Sequence, residues 1–210
     1  MNEPSIIIPG RLSRRSFLRS TSTAVAGTAL LGSLAAERFA LGASNNDTLK
    51  VALVGCGGRG SGAANQALNT SNLGAVKLVA VADVHEDRMK GALNNLQKTH
   101  GDHVDVPQER QFLGFDGYKQ AISAADVVIL ATPPGFRPMQ FEEAIKQGKH
   151  VFMEKPVASD APGVRRVLAA AEEAKKKGLK VGVGLQRRHQ IGYIETMQRL
   201  HDGAIGDITS

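Results

Sequence analysis

Leu49-Lys50-Val51-Ala52-Leu53-Val54 runs directly into Gly55-Cys56-Gly57-Gly58-Arg59-Gly60. The first six residues are β-branched and apolar enough for a buried strand. The next six give the spacing Gly-x-Gly-x-x-Gly, and the small residues Ser61, Gly62 and Ala63 follow. Such a pattern is weak alone and much stronger between a strand and a helix. The first glycine permits a tight turn. The second lets a backbone approach a pyrophosphate, and the third allows close helix-to-strand packing. The helix N-terminus then offers amide donors to phosphates. This stretch predicts a dinucleotide-binding turn with Gly55, Gly57, Gly58, Arg59 and Gly60 as cofactor-contacting residues.

Working outward, strands and helices alternate. Val76 to Ala82 is a second apolar run closed by Asp83, and Met89, Leu93 and Leu96 mark the next helix. Gln111-Phe112-Leu113 reads as a short third strand. Asp116 to Ile122 reads as a turn into a helix. Asp126 to Ala131 is the strongest buried-strand signal, and it stops at Thr132-Pro133-Pro134 because proline cannot donate to a sheet ladder. A helix around Phe141, Ala144 and Ile145 ends at Gly148. Val151-Phe152-Met153 is a fifth strand. Asp160 caps a helix with Pro162 in its first turn and an expected apolar stripe of Val164, Val167, Leu168 and Ala171, closed by Gly178. Val181-Gly182-Val183 is a sixth strand. Strands buried on both faces and separated by helices predict an α/β fold: a doubly wound, parallel-sheet Rossmann domain over residues 48–185.

Three positions on the expected carboxyl edge carry chemistry. Asp83 lies 23 residues beyond Gly60, where a carboxylate meets the adenine-ribose hydroxyls. It repels the 2′-phosphate of NADP and so favours NAD, although His85 and Arg88 soften that repulsion. Thr132 and Pro133 form a rigid loop that lines the nicotinamide-ribose side, or serves as a simple turn. Glu154-Lys155-Pro156 follows the fifth strand. Lys155 is the candidate catalytic residue, since a lysine on this edge can hydrogen-bond a substrate hydroxyl and assist its proton; a surface lysine beside a glutamate is the alternative. No metal site is expected.

The first 43 residues read as an address. Ser13-Arg14-Arg15-Ser16-Phe17-Leu18-Arg19 matches the twin-arginine export pattern, and Thr21 to Ala36 is a weakly apolar run of 16 residues. That is short of the roughly 20 needed to span a bilayer, so no stable membrane insertion is expected. The expected partner is the twin-arginine export machinery, which carries folded proteins, and the expected location is periplasmic or extracytoplasmic. The single cysteine, Cys56, forms no intramolecular disulfide and suits a chain folded before export.

Charge excludes little. Of the 26 basic and 20 acidic residues, five arginines and two glutamates lie in the first 43 positions. The remaining 21 basic and 18 acidic residues are nearly balanced, so no nucleic-acid partner is expected. Lys175-Lys176-Lys177 reads as a solvated helix end that complements the helix dipole.

Together, Gly-Cys-Gly-Gly-Arg-Gly, the acidic end of strand two, Ala-Thr-Pro after strand four and Glu-Lys-Pro after strand five resemble the glucose-fructose oxidoreductase / inositol dehydrogenase (Gfo/Idh/MocA) family. Gly184-Leu185-Gln186-Arg187-Arg188 resembles that family's crossover out of the Rossmann domain. The resemblance implies bound NAD, with NADP second, and Glu154 and Lys155 beside it. It also implies a sugar or polyol substrate, and a homo-oligomer in a full-length form. It further implies a second, α/β domain, of which Tyr193 to His201 is the first helix and Gly206 to Ser210 the first strand. Residues 186–210 would then open a truncated substrate domain. One departure stands out: Arg137 occupies a position where the family often has histidine. Three functions stay open. They are a sugar or polyol oxidoreductase, an NAD-assisted glycoside hydrolase on the same scaffold, and a cofactor-binding fragment without activity.

Overall fold

Alternating apolar runs and helical stripes produce alternating elements. The computed structural model describes residues 48–207; the export-signal expectation for residues 1–43 lies outside them. In chain order the elements are β1 (Leu49–Val54), α1 (Gly58–Leu68), β2 (Val76–Asp83), α2 (Glu86–His100), β3 (Gln111–Leu113) and α3 (Gly117–Ser123). Then come β4 (Val127–Leu130), α4 (Arg137–Lys146), β5 (His150–Met153), α5 (Ala161–Lys176), β6 (Val181–Val183), α6 (Gln186–His189) and α7 (Ile191–His201). All strand pairs are parallel, in the order β3-β2-β1-β4-β5-β6. The order reverses at β1, and β4 lies on its other side. Ligands of open α/β sheets bind above the carboxyl ends at such a reversal.

Successive strand residues point to opposite faces. Ala52, Val54, Val128 and Leu130 pack with Ile122 of α3, Phe141 of α4 and Val167 of α5. Val51, Leu53 and Ile129 face the other way, onto Ala64 and Leu68 of α1 and Met89 and Leu96 of α2. Two buried layers account for the continuous apolar runs, as both faces of the central strands lose contact with water. The pairing of β1 with β2 slips between Val51 and Ala52, so β2 carries one extra residue there. Such a bulge leaves no mark in an apolar run.

Helix ends follow their signals. The Asp160 carboxylate accepts the Gly163 amide at 2.7 Å, and Pro162 sits in the first turn of α5. Gly148 (φ 72°) and Gly178 (φ 68°) end α4 and α5 in the left-handed conformation. In both, paired amides return to the last helical turn, with Lys149 bonding Ala144 and Leu179 bonding Ala174.

The structure corrects two expectations. The buried face of α5 is Gly163, Val167, Ala170 and Ala174. Val164 and Leu168 point outward, at 40% and 61% exposure. Small residues let α5 lie close to α4, and that contact, rather than side-chain size, sets the helix rotation. Lys177 is not simply solvated: its ammonium donates to the Ile145 carbonyl at 2.8 Å and ties the end of α5 to that of α4. Gly206 and Asp207 are in no strand, while Ile208 to Ser210 lie outside the described residues.

The rotated face has a direct test. Val167→Ala should lower the stability of the folded chain by about 2 kcal/mol, the cost of deleting buried methyl groups. Leu168→Ala should change it by less than about 0.5 kcal/mol. Urea unfolding of the two variants measures both, and equal losses would contradict the observed rotation.

Candidate functional site

The three fingerprint glycines have different physical reasons. Gly55 has φ 94°, and a Cβ on it would sit 2.7 Å from the Thr132 amide nitrogen. A Cβ on Gly60 would lie 1.8 Å from the Gly55 carbonyl oxygen, so α1 meets the end of β1 with no room for a side chain. Gly57 differs. Its φ is −65°, open to any residue, and its Cβ would meet nothing within 4 Å. No protein neighbour requires glycine there, and the open space leaves the backbone accessible to an incoming group. Gly57 is also the N-cap of α1 and supplies no capping side chain, which leaves the first amides of the helix for a ligand. No acidic residue occupies that first turn, and Arg59 does. These features fit an anion, and the pyrophosphate of a dinucleotide in particular.

Asp83 ends β2 facing this turn. Its carboxylate accepts the Cys56 amide at 2.6 Å and the His85 amide at 2.9 Å. The sequence assigns Asp83 to ribose hydroxyls; the structure adds that it anchors the glycine turn. Each carboxylate oxygen has a second lone pair, so both roles are compatible. Cys56 is buried, and its thiol lies 3.7 Å from the Ala82 carbonyl. Burial first, and the Asp83 charge second, push that thiol from its ordinary 9.0 up to about 12.

Above the carboxyl edge lie two cavities. One, of about 550 Å³, is lined by Gly55, Gly57, Asp83, Thr132 and Pro133 among others. Phe115 and Phe136 stand at its wall, with ring centroids 6.0 Å apart and planes tilted by 36°. Neither is singled out from the sequence. The only available signal was an aromatic within two residues of the start of each of two helices, α3 and α4, on the ligand-binding edge. Thr132 is held by its hydroxyl, which meets the Gln140 side-chain oxygen at 2.5 Å.

The second cavity, of about 920 Å³, holds Arg59, Glu154, Lys155, Gly184 and His189. Ala131 lines both cavities. The predicted residues therefore divide: the turn, Asp83 and the Thr132-Pro133 loop meet on one side, while Arg59, Glu154 and Lys155 meet on the other. Gly58 and Gly60 line neither cavity and instead build the start of α1. Arg59 Nε lies 2.7 Å from a carboxylate oxygen of the buried Glu154, joining α1 to the end of β5. Gly184 makes room for that carboxylate, since a Cβ there would come within 2.8 Å of it. Lys155 is exposed, and the Lys155–Pro156 peptide is cis.

Arg137 was noted in the sequence only as a departure from a pattern. In the structure it is buried, at 3% exposure. One terminal nitrogen donates to the Glu154 carbonyl at 2.7 Å and also to the Pro156 carbonyl; the other donates to the Thr132 carbonyl. Burial lowers its pKa, and the nearby Glu154 charge opposes that shift.

A sequence profile described as an oxidoreductase family with an NAD-binding Rossmann fold matches residues 49–185. The chain belongs to the Gfo/Idh/MocA family. It is 34% identical over 161 residues to an inositol 2-dehydrogenase of Ralstonia nicotianae, which covers 76% of this chain and 43% of that relative. It is 33% identical over 147 residues to an inositol 2-dehydrogenase of Cereibacter sphaeroides, covering 70% of this chain and 39% of the relative. Among solved structures, it resembles scyllo-inositol dehydrogenase from Lactobacillus casei with bound NAD(H) and scyllo-inositol. That match has a TM-score of 0.59 and 31% identity over 78% of this chain and 44% of the other. The chain spans less than half the length of these relatives. The family's NAD-binding region and the observed Rossmann sheet coincide.

The buried thiol makes a pH-dependent expectation. A group whose folded pKa is raised stabilises the fold fully below its unfolded pKa and loses that contribution as pH rises through the folded value. For Cys56 the loss runs from about pH 9.0 to about 12. At pH 9 the native thiol should therefore resist iodoacetamide, while the urea-unfolded chain should alkylate readily. Mass spectrometry of the two samples reads the difference, and rapid labelling of the native chain would contradict the buried placement.

Proposed function

We propose that this chain is the cofactor-binding part of an NAD-dependent dehydrogenase acting on a sugar or polyol, with cyclic polyols such as inositols the preferred substrate class. The observation that carries this reading is Gly57: a glycine that no protein contact requires, at the N-terminus of α1 and beside Asp83. The inositol dehydrogenases among its relatives support the polyol class.

The roles follow from position. NAD, when bound, supplies the oxidant for a carbinol carbon. The first amides of α1 hold the pyrophosphate. Asp83 accepts ribose hydroxyls while it keeps the turn in place. Thr132 and Pro133 shape the wall beside it. Lys155, in the adjoining cavity, hydrogen-bonds the substrate hydroxyl and relays its proton.

Two further readings belong with this one. Residues 48–185 form the cofactor domain, and residues 186–210 open a substrate domain. Residues 13–19 direct the protein to the twin-arginine export route and so to an extracytoplasmic location.

Titration calorimetry tests the central reading. The chain should bind NAD at one site, and NADP at least about tenfold more weakly because Asp83 opposes a 2′-phosphate. Gly57→Val should weaken NAD binding by about a hundredfold or more while leaving the folded spectrum unchanged. A folded wild-type chain that binds neither NAD nor NADH overturns the proposal.

A further inference from the structure

Lys155 sits on an exposed turn, yet its backbone is fixed from both sides. The carbonyls of the residues before and after it, Glu154 and Pro156, both accept from one terminal nitrogen of Arg137. The other terminal nitrogen donates to the Thr132 carbonyl, in the loop that walls the other cavity. One guanidinium therefore joins the loop after β4 to the turn after β5. Arg59 supports the same turn through the Glu154 carboxylate.

The side-chain type matters here. Guanidinium is planar, permanently charged and carries donors in a fixed fork, so it can serve carbonyls on two separate segments. Lysine is a compact point charge on a flexible stem and cannot reproduce that spacing. An apolar side chain would leave these carbonyls without their donor. Arg137 is also costly to bury: its Nε has no hydrogen-bond partner among the described residues. A buried charge with an orphaned nitrogen is poor as a stability device. Its return is the geometry it imposes.

We propose that Arg137 is a positioning residue that fixes the Glu154-Lys155-Pro156 turn relative to the cofactor loop at Thr132, and so sets where Lys155 meets the nicotinamide end of the bound cofactor. This rests on the role proposed above for Lys155.

The test follows Lys155 directly, in the full 210-residue chain. Lysines are reductively methylated with ¹³C-formaldehyde, and the Lys155 signal is assigned by its loss in Lys155→Arg. Saturating NAD should move that signal in the wild type. In Arg137→Met and Arg137→Lys, NAD should still bind within about threefold of wild-type affinity, but its effect on the Lys155 signal should fall to less than about half. If Arg137→Met fails to fold, Arg137→Lys, which keeps the charge and much of the volume, carries the test. A merely structural Arg137 would lower the unfolding midpoint of the variants and leave the Lys155 response at its wild-type size. That result overturns the positioning role alone. A wild-type Lys155 signal that ignores bound NAD overturns the reading of Lys155, and the inference with it; a wild type that binds no NAD overturns the proposed function itself.

Discussion

Between the Gly55 carbonyl and the first turn of α1 there is no space for a side chain, since a Cβ on Gly60 would lie 1.8 Å from that oxygen. This close approach sets α1 against the end of β1, the strand at which the sheet order reverses. The free amides of α1 then point into the opening between β1 and β4. Gly55 adds a second constraint by packing against Thr132 and Ala131, so the turn, the helix and the end of β4 are set together. Both cavities meet at Ala131 for this reason.

Charge organises the same edge. Asp83 holds the glycine turn through the Cys56 amide, and Glu154 holds Arg59 from that turn. Arg137 holds together the loops that follow β4 and β5. Buried ionic groups are expensive, and replacing them with apolar ones often stabilises a fold. Two of them, Glu154 and Arg137, sit at the carboxyl edge beside the half-buried Asp83, with Asp83 and Glu154 bonded to the glycine turn and Arg137 to the β4 and β5 loops. Their placement suits a site whose parts must keep fixed distances, and it links the cofactor turn to the lysine-bearing turn without any direct contact between Gly57 and Lys155.

Much of the fold was legible because its signals are local. The strand runs, the cap at Asp160 and the left-handed glycines at 148 and 178 depend on neighbours in sequence. The fingerprint glycines and Asp83 were legible because their spacing follows from one strand–turn–helix unit. Leu168 misled because it is large and apolar, whereas α5 buries small residues against α4. Arg137 was seen only as a departure, because the partners of its guanidinium are carbonyls, which every residue has and no sequence displays.

By itself, then, the sequence determined the alternation of strands and helices, the glycine turn, the carboxylate opposite it and the lysine on the same edge. Each depends on residue type and short-range spacing. Only the tertiary structure decided the face that α5 buries, the second role of Asp83 as an anchor for the turn, the division of the site into two cavities and the clamp formed by Arg137. Those depend on the approach of segments far apart in the chain, where backbone amides and carbonyls supply the partners.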